Sequence, residues 1–532
     1  MAIITYHHGE LCRFAGKKLS MKELRENLDM IGAPVDSIEG EEIHCDITPN
    51  RIDLLSVEGM GRALSNFMGI RAPWDYGVSE SGISLKTDVS VRDIRPYVVA
   101  GVVTGIVVDD SLIRSIMQVQ EKIHTTYGRN RKKVAIGLHN LDPLKPPFSY
   151  KAVHPNEISF VPLGMDESLN LEQILKRHPK GQDYAHLLKD KHMYPIIVDS
   201  NNNVLSFPPI INGELTRVSE DTTNLFIDVT GTSFDAINDT LNVMSALFAD
   251  RGGKLCSVDV DGKALPDMGR REVDVSVGDI NGLIGFNLTS KKTESLLARM
   301  GHISKGGVVL RVRVPPYRVD VMHWVDIAED VAIAYGYNRL EPTLPQLPTI
   351  GKLIENKEES IFRNTSTGLG FNEVLTYTLS NTELNYTRML LKDDGKASKI
   401  MNPITSDFTL FRTWVLPSLL NVLASNSHEA MPQKLSETGD CIIGGKRQLH
   451  AACVVEKAKA TFSEIKSFTE AFVFEAGWEC EFKEEDHPSF IQGRCLSVYV
   501  GRKLKGYFGE IHPQILNNFG IEEPVIALEI QL

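Results

Sequence analysis

Three groups of side chains in this sequence have the types and spacing to do chemistry. The densest lies in Pro315–Asn338, which holds Asp320, Asp326, Glu329 and Asp330. The last three stand at i, i+3 and i+4 and share one face of a helix, while Ile327, Ala328, Val331 and Ala334 line the other. Carboxylate oxygens suit Mg²⁺, which usually takes one or two of them and keeps several waters. Acids in a first helical turn also complement the helix dipole. That reading covers Asp326 and Glu329 but leaves Asp320 and the Pro-Pro-Tyr-Arg lead-in unexplained, so both readings stand.

The second group is Ser206, Asp228 and Thr230. In Phe226–Thr232, Asp228 and Thr230 alternate with Ile227 and Val229, as on one face of a strand. These side chains could hydrogen-bond a hydroxyl on a substrate, or they could simply satisfy strand and turn groups. There is no Gly-x-Ser-x-Gly and no Ser/His/Asp signature, so a positioned water is expected rather than a covalent nucleophile. The third group is the basic run Tyr127–Lys133, with Arg129, Arg131, Lys132 and Lys133 leading into Val134–Asn140. It is either a phosphate contact or a solvated loop. Asn50-Arg51 offers a similar choice between RNA contact and a turn with a helix cap.

The elements that must position these groups are legible from periodicity. Helices are expected over Lys18–Met30, Asp53–Leu64, Ser111–Thr125, Ser233–Phe248, Thr289–Met300 and Glu358–Leu369. Strands are expected at Glu42–Ile47, Val98–Val108, Tyr194–Ser200, Phe226–Thr232, Asn372–Ser380, His450–Val455 and Leu496–Val500. Residues 266–345 read strand–helix–helix–strand before the acidic helix. At 532 residues several domains are expected, with boundaries at 1–85, 86–265, 266–345 and 346–532. No apolar run reaches membrane-spanning length, and the N-terminus lacks a signal-peptide pattern. Seven cysteines without a Cys-x-x-Cys argue against a disulfide framework or zinc site and fit a reducing cytoplasm. The net charge of −12 excludes a generally basic nucleic-acid binder, leaving a local patch or a partner to meet phosphates.

Several stretches together resemble the phenylalanyl–tRNA synthetase β-subunit family, in its archaeal-type form. They are Ile47-Thr-Pro-Asn-Arg-Ile-Asp-Leu-Leu-Ser-Val-Glu-Gly59, Val204-Leu-Ser-Phe-Pro-Pro-Ile-Ile-Asn-Gly213, Asp228-Val-Thr-Gly-Thr232, Tyr317-Arg-Val-Asp320 with Asp326, Glu329 and Asp330, and Tyr335-Gly-Tyr-Asn338. The resemblance implies a multidomain α+β and α/β chain. Its parts would be a small N-terminal α+β domain, a tRNA-editing domain, a small Mg-associated domain and a class II synthetase-like antiparallel-sheet domain.

It also implies Mg²⁺ on Asp320, Asp326, Glu329 and Asp330, the last being Glu in most of the family. Editing of tyrosine wrongly joined to tRNA(Phe) would fall to Ser206, Asp228 and Thr230. The α subunit of an (αβ)₂ tetramer would take ATP and phenylalanine. Class II nucleotide motifs are not met: Phe411-Arg412 runs into Thr413-Trp414, Phe362-Arg363 into Asn364-Thr365, and Gly444-Gly445-Lys446-Arg447 is too short. His512 reads as a turn residue. The C-terminal domain is therefore expected to hold the partner rather than activate an amino acid. The alternatives are a scaffold subunit with an inactive editing site and a free-standing hydrolase.

Overall fold

A computed structural model describes residues 2–344, 349–352 and 357–532. The chain divides into two compact units, Met1–Leu344 and Pro345–Leu532. The expected boundary at 345/346 lies outside the described residues, beside this division.

In the first unit a three-stranded sheet, with Glu42–Ile47 between Ala2–His7 and Val35–Glu39, packs with two amphipathic helices, His8–Ala15 and Met21–Ile31. Ser20 and Glu23 form a capping box that starts the second helix, which is why it begins later than apolar spacing alone suggests. The helix Val57–Phe67 is buried almost all round.

Ten strands then build one sheet. Its order runs from Ile211–Asn212 through Val204–Phe207, Tyr194–Val198, Phe148–Val153, Val78–Thr87, Lys254–Val260, Tyr97–Thr104 and Asn224–Gly231 to Val134–Asn140, with Lys263–Leu265 appended. Val78–Thr87 pairs in parallel with both neighbours, and the other pairs are antiparallel. The boundary expected near residue 85 is corrected by this strand, which carries the chain into the large sheet from Val78 onward. The sheet curls until its ends meet: Asn212 Nδ2, on one end strand, donates to the Leu138 carbonyl on the other at 3.1 Å.

The region after residue 266 adds a three-stranded sheet and three helices, among them Trp324–Tyr335. Its third strand, Ile303–Gly306, is missing from the expected pattern because Ile-Ser-Lys-Gly carries little apolar signal. One hydrophobic core runs from Ile4 to Ala334. The N-terminal, sheet and acidic-helix regions are therefore packed together rather than strung on linkers.

The second unit is a seven-stranded sheet ordered Asn372–Glu373, Gln433–Ile443, Lys446–Glu456, Val525–Gln531, Lys503–Ile511, Phe490–Val500 and Cys480–Glu484. All pairs but the first are antiparallel. Its two faces carry separate cores. Gly444 and Gly445 turn a hairpin, with φ of 56° and 74°, and His512 caps the helix Pro513–Phe519. Arg412 is buried in an ion pair with Glu437 at 2.8 Å. All seven cysteines are unpaired, and no described helix is long and apolar enough to cross a membrane.

Candidate active site

The strand Asn224–Gly231 pairs with Tyr97–Thr104 on one side and Val134–Asn140 on the other. Its alternation sends Asp228 and Thr230 to one face of the sheet and Ile227 and Val229 to the other. On the first face lies a cavity of about 340 Å³, walled by Asp228, Thr230, Ser206, the Phe207–Asn212 turn, His124, Arg131 and Gly137. It sits where the ends of the curled sheet approach. The three residues singled out on this strand and turn thus converge, although Ser206 and Asp228 come from strands far apart in the sheet order.

Asp228 is 2% exposed. Its Oδ2 lies 2.7 Å from His139 Nε2, and His139 Nδ1 lies 2.8 Å from Thr216 Oγ1. Thr230 is held by Arg95, whose Nε donates to Oγ1 at 2.8 Å and whose Nη2 donates to the carbonyl at 2.6 Å. Burial lowers that guanidinium to about 10, so it stays charged at neutral pH. His124 accepts the Ile136 amide on Nε2 at 2.8 Å. Burial, then Arg131 and Arg95, push its pKa well below the usual histidine range, so the ring is neutral. Ser206 Oγ, Arg131 Nε and His124 Nδ1 are buried without a partner among the described residues. Unmet polar atoms around one cavity are what a polar ligand would satisfy.

The basic run divides. Arg129, Asn130 and Arg131 occupy the left-handed region in succession, with φ of 50°, 52° and 64°. This turn is held by Arg95 Nη1, which donates to the carbonyls of Arg131 and Lys132 at 3.1 and 3.2 Å. Arg131 points inward: Nη1 donates to the Pro209 and Ile210 carbonyls at 3.1 and 2.8 Å, and the guanidinium stacks on Tyr184 at 4.4 Å. Lys133 lies 4.6 Å over the Tyr127 ring. Arg129 and Lys132 face solvent. Arg51 forms a two-point pair with Asp53, 2.9 Å for each bond, which is the turn reading of Asn50-Arg51.

The four acids do not converge. Asp330 is buried between His302 Nε2 at 2.6 Å and Arg318, while Arg318 also grips Asp320 through Nε and Nη2 at 2.8 and 2.7 Å. Asp326 Oδ2 accepts the Met322 and His323 amides at 2.8 and 2.7 Å, capping its helix. Glu329 is exposed. Among the described residues no three of these acids bring ligand oxygens within 4.8 Å of one another; the only such group is Cys441, His450 and Glu529. In that group, Glu529 already accepts the Val415 and Leu416 amides. As a four-ligand Mg²⁺ cage the acids do not fit, because the inner two are neutralised by a guanidinium. Asp326 is half-buried and Glu329 exposed, and neither is paired with a guanidinium among the described residues.

Arg95, His124, His139 and Thr216 belong to this site without having been expected from sequence. His139 alone left a signal, a polar residue inside the apolar run Val134–Asn140. Arg95 precedes its strand and carries no pattern.

Comparison with known proteins agrees with this layout. Residues 109–246 match the B3/4 domain, 273–337 the tRNA synthetase B5 domain, and 340–532 the phenylalanyl tRNA synthetase beta chain CLM domain. The chain is 40% identical over 542 residues to the phenylalanine–tRNA ligase beta subunit of Archaeoglobus fulgidus, covering 100% of this chain and 98% of that one. It is 39% identical over 545 residues to that of Methanothrix thermoacetophila, covering all of both. A crystal structure of an N-terminal fragment of the phenylalanyl-tRNA synthetase beta-subunit from Pyrococcus horikoshii superposes with a TM-score of 0.61. It is 38% identical and covers 63% of this chain and 100% of the fragment. With full-length matches of this kind, the chain belongs to the family of phenylalanine–tRNA ligase β subunits.

Proposed function

We propose that this chain hydrolyses tyrosine wrongly esterified to tRNA(Phe) in the cavity under Asp228. On this reading an α subunit, in an (αβ)₂ tetramer in the cytoplasm, attaches phenylalanine using ATP. The observation that carries the reading is the meeting of Asp228, Thr230 and Ser206 in one cavity with unmet polar atoms. An apolar pocket rejects an added hydroxyl only about 10²-fold, whereas a site that hydrogen-bonds the hydroxyl discriminates far better.

The residues divide the work. Asp228 accepts the phenol O–H. Arg131 and neutral His124 supply N–H groups toward the ester's carbonyl oxygen, where negative charge develops as water adds to the acyl carbon. The acyl–oxygen bond then breaks, and the leaving ribose oxygen takes a proton that began on the water. Arg129 and Lys132 meet tRNA phosphates. Asp326 and Glu329 hold a hydrated Mg²⁺, with Asp320 and Asp330 behind them on Arg318. The second unit holds α, in keeping with the buried Arg412 and the hairpin at Gly444-Gly445.

The test is deacylation of tyrosyl-tRNA(Phe) by the purified αβ complex. Wild type is expected to deacylate, and Asp228→Ala is expected to lose deacylation while aminoacylation continues. A wild-type complex that charges tRNA but never deacylates it would leave only a scaffold role.

A further inference from the structure

Asp228 does not stand alone. Its Oδ2 is taken by His139 at 2.7 Å, and the far side of that ring is fixed by Thr216 Oγ1 at 2.8 Å. Thr216 Oγ1 is itself 3.0 Å from the Gly213 carbonyl, at the end of the turn that lines the cavity. The ring is completely buried and packs near Phe226, 6.2 Å between centroids. Opposite Asp228 in register stands Gly137. A Cβ there would lie 2.0 Å from Asp228 Oδ2 and 2.7 Å from His139 Nε2, so only glycine leaves room for this arrangement. A carboxylate is otherwise loose about its last torsion.

We propose that His139 is the positioning residue for acyl-group choice: it holds one oxygen of Asp228 so that the other is presented to the para-hydroxyl of a tyrosyl ester. This rests on the hydrolytic reading above and names what gives that site its preference. A phenylalanyl ester would leave the presented oxygen buried and unpaired, which is the costly case. Asp228 lines the cavity, and among the described residues only its Oδ2 carries a hydrogen bond, that to His139, which leaves the other oxygen for a ligand. Discrimination therefore follows from where the carboxylate is fixed, as much as from its presence.

The experiment uses the αβ complex and compares deacylation of tyrosyl- and phenylalanyl-tRNA(Phe). His139→Leu is expected to lower kcat/KM for the tyrosyl ester by about 10- to 100-fold, the worth of one charge-assisted hydrogen bond. The slow hydrolysis of the phenylalanyl ester should not change. Gly137→Ala should act in the same direction from the other side of the carboxylate, and His139→Gln, which keeps an N–H, should recover part of the loss. Aminoacylation reports that each complex is folded. If His139→Leu does not assemble, Thr216→Val removes the ring's second anchor with little change of shape and should give the same selective loss.

An equal fall for both esters would overturn the proposal, as would unchanged discrimination in His139→Leu. A wild-type complex without deacylation would remove the hydrolytic reading alone. The positioning role is then read from equilibrium binding of L-tyrosinamide against L-phenylalaninamide. Wild type should prefer the first and His139→Leu should not; equal binding by wild type would overturn it.

Discussion

Two acids that look alike in sequence do different work. Burial alone would raise the Asp330 carboxyl, but the Arg318 charge, with His302, outweighs it and holds the group well below the usual range. A carboxyl depressed on folding contributes stability above its unfolded value, near 3.9, and loses it as pH falls toward the folded value. Asp330→Asn leaves Arg318 buried with one partner fewer. It should cost about 3–5 kcal/mol at neutral pH, seen as a lower denaturation midpoint, and the gap to wild type should close below about pH 4.

The outer pair should behave oppositely. Asp326→Asn with Glu329→Gln is expected to change the midpoint by about 1 kcal/mol or less, since a cap and an exposed charge are involved. It should abolish any Mg²⁺ dependence of α–β association, followed by sedimentation with and without chelator. If the midpoint falls as far as in Asp330→Asn, the division into inner and outer acids is wrong. Spacing made the acids visible as a set. It did not reveal the division, because that depends on which carboxylates Arg318 reaches, Asp320 two residues on and Asp330 in the following helix, and on His302, just before the strand Ile303–Gly306.

At the scale of elements, most of the helices and strands expected from periodicity lie within a few residues of their observed spans, and the pattern misled where a partner changes. Asn372–Ser380 alternates like one strand, yet only Asn372–Glu373 pairs with Gln433–Ile443, while Leu379–Ser380 pairs with Leu410–Phe411. Between them Thr376 turns its hydroxyl to Glu437 at 2.6 Å. Alternation reports which face a residue takes, not which neighbour it has. The cavity beside Asp228 shows the same limit: its strand was legible, but the meeting of sheet ends that closes it was not.

The helix Val57–Phe67 gives a prediction whose sign packing decides. Propensity alone makes Gly61→Ala stabilising by about 1 kcal/mol. A Cβ at Gly61, however, would lie 2.2 Å from Phe14 Cβ, on the neighbouring helix His8–Ala15. Neither backbone can yield inside this core. The expected result is destabilisation of about 1–3 kcal/mol, measured as a fall in the thermal midpoint. A rise would show that the two helices separate more easily than their close approach implies.

For the whole molecule, the governing quantity is a net charge of −12 on a chain whose relatives are subunits of a tRNA ligase. An acidic body repels phosphates at long range, so a phosphate contact needs locally exposed cations, and in the basic run the fold decides which those are. Of the four in the basic run, Arg131 is committed to the Pro209 and Ile210 carbonyls and Lys133 lies over Tyr127. Of the four, only Arg129 and Lys132 are exposed.

Removing one cation that neutralises a phosphate lowers the dependence of binding on log salt by about one. Arg129→Ala with Lys132→Ala should therefore reduce the salt slope of tRNA(Phe) binding to the αβ complex by about two, measured by anisotropy over a salt series. Deacylation of saturating tyrosyl-tRNA should persist. Arg131→Lys should do the reverse: it keeps the charge and the slope but loses the Nε donor at the cavity, so deacylation should fall while affinity holds. A drop in slope from Arg131→Lys, or none from the double variant, would mean that the inward and outward cations have been assigned the wrong way round.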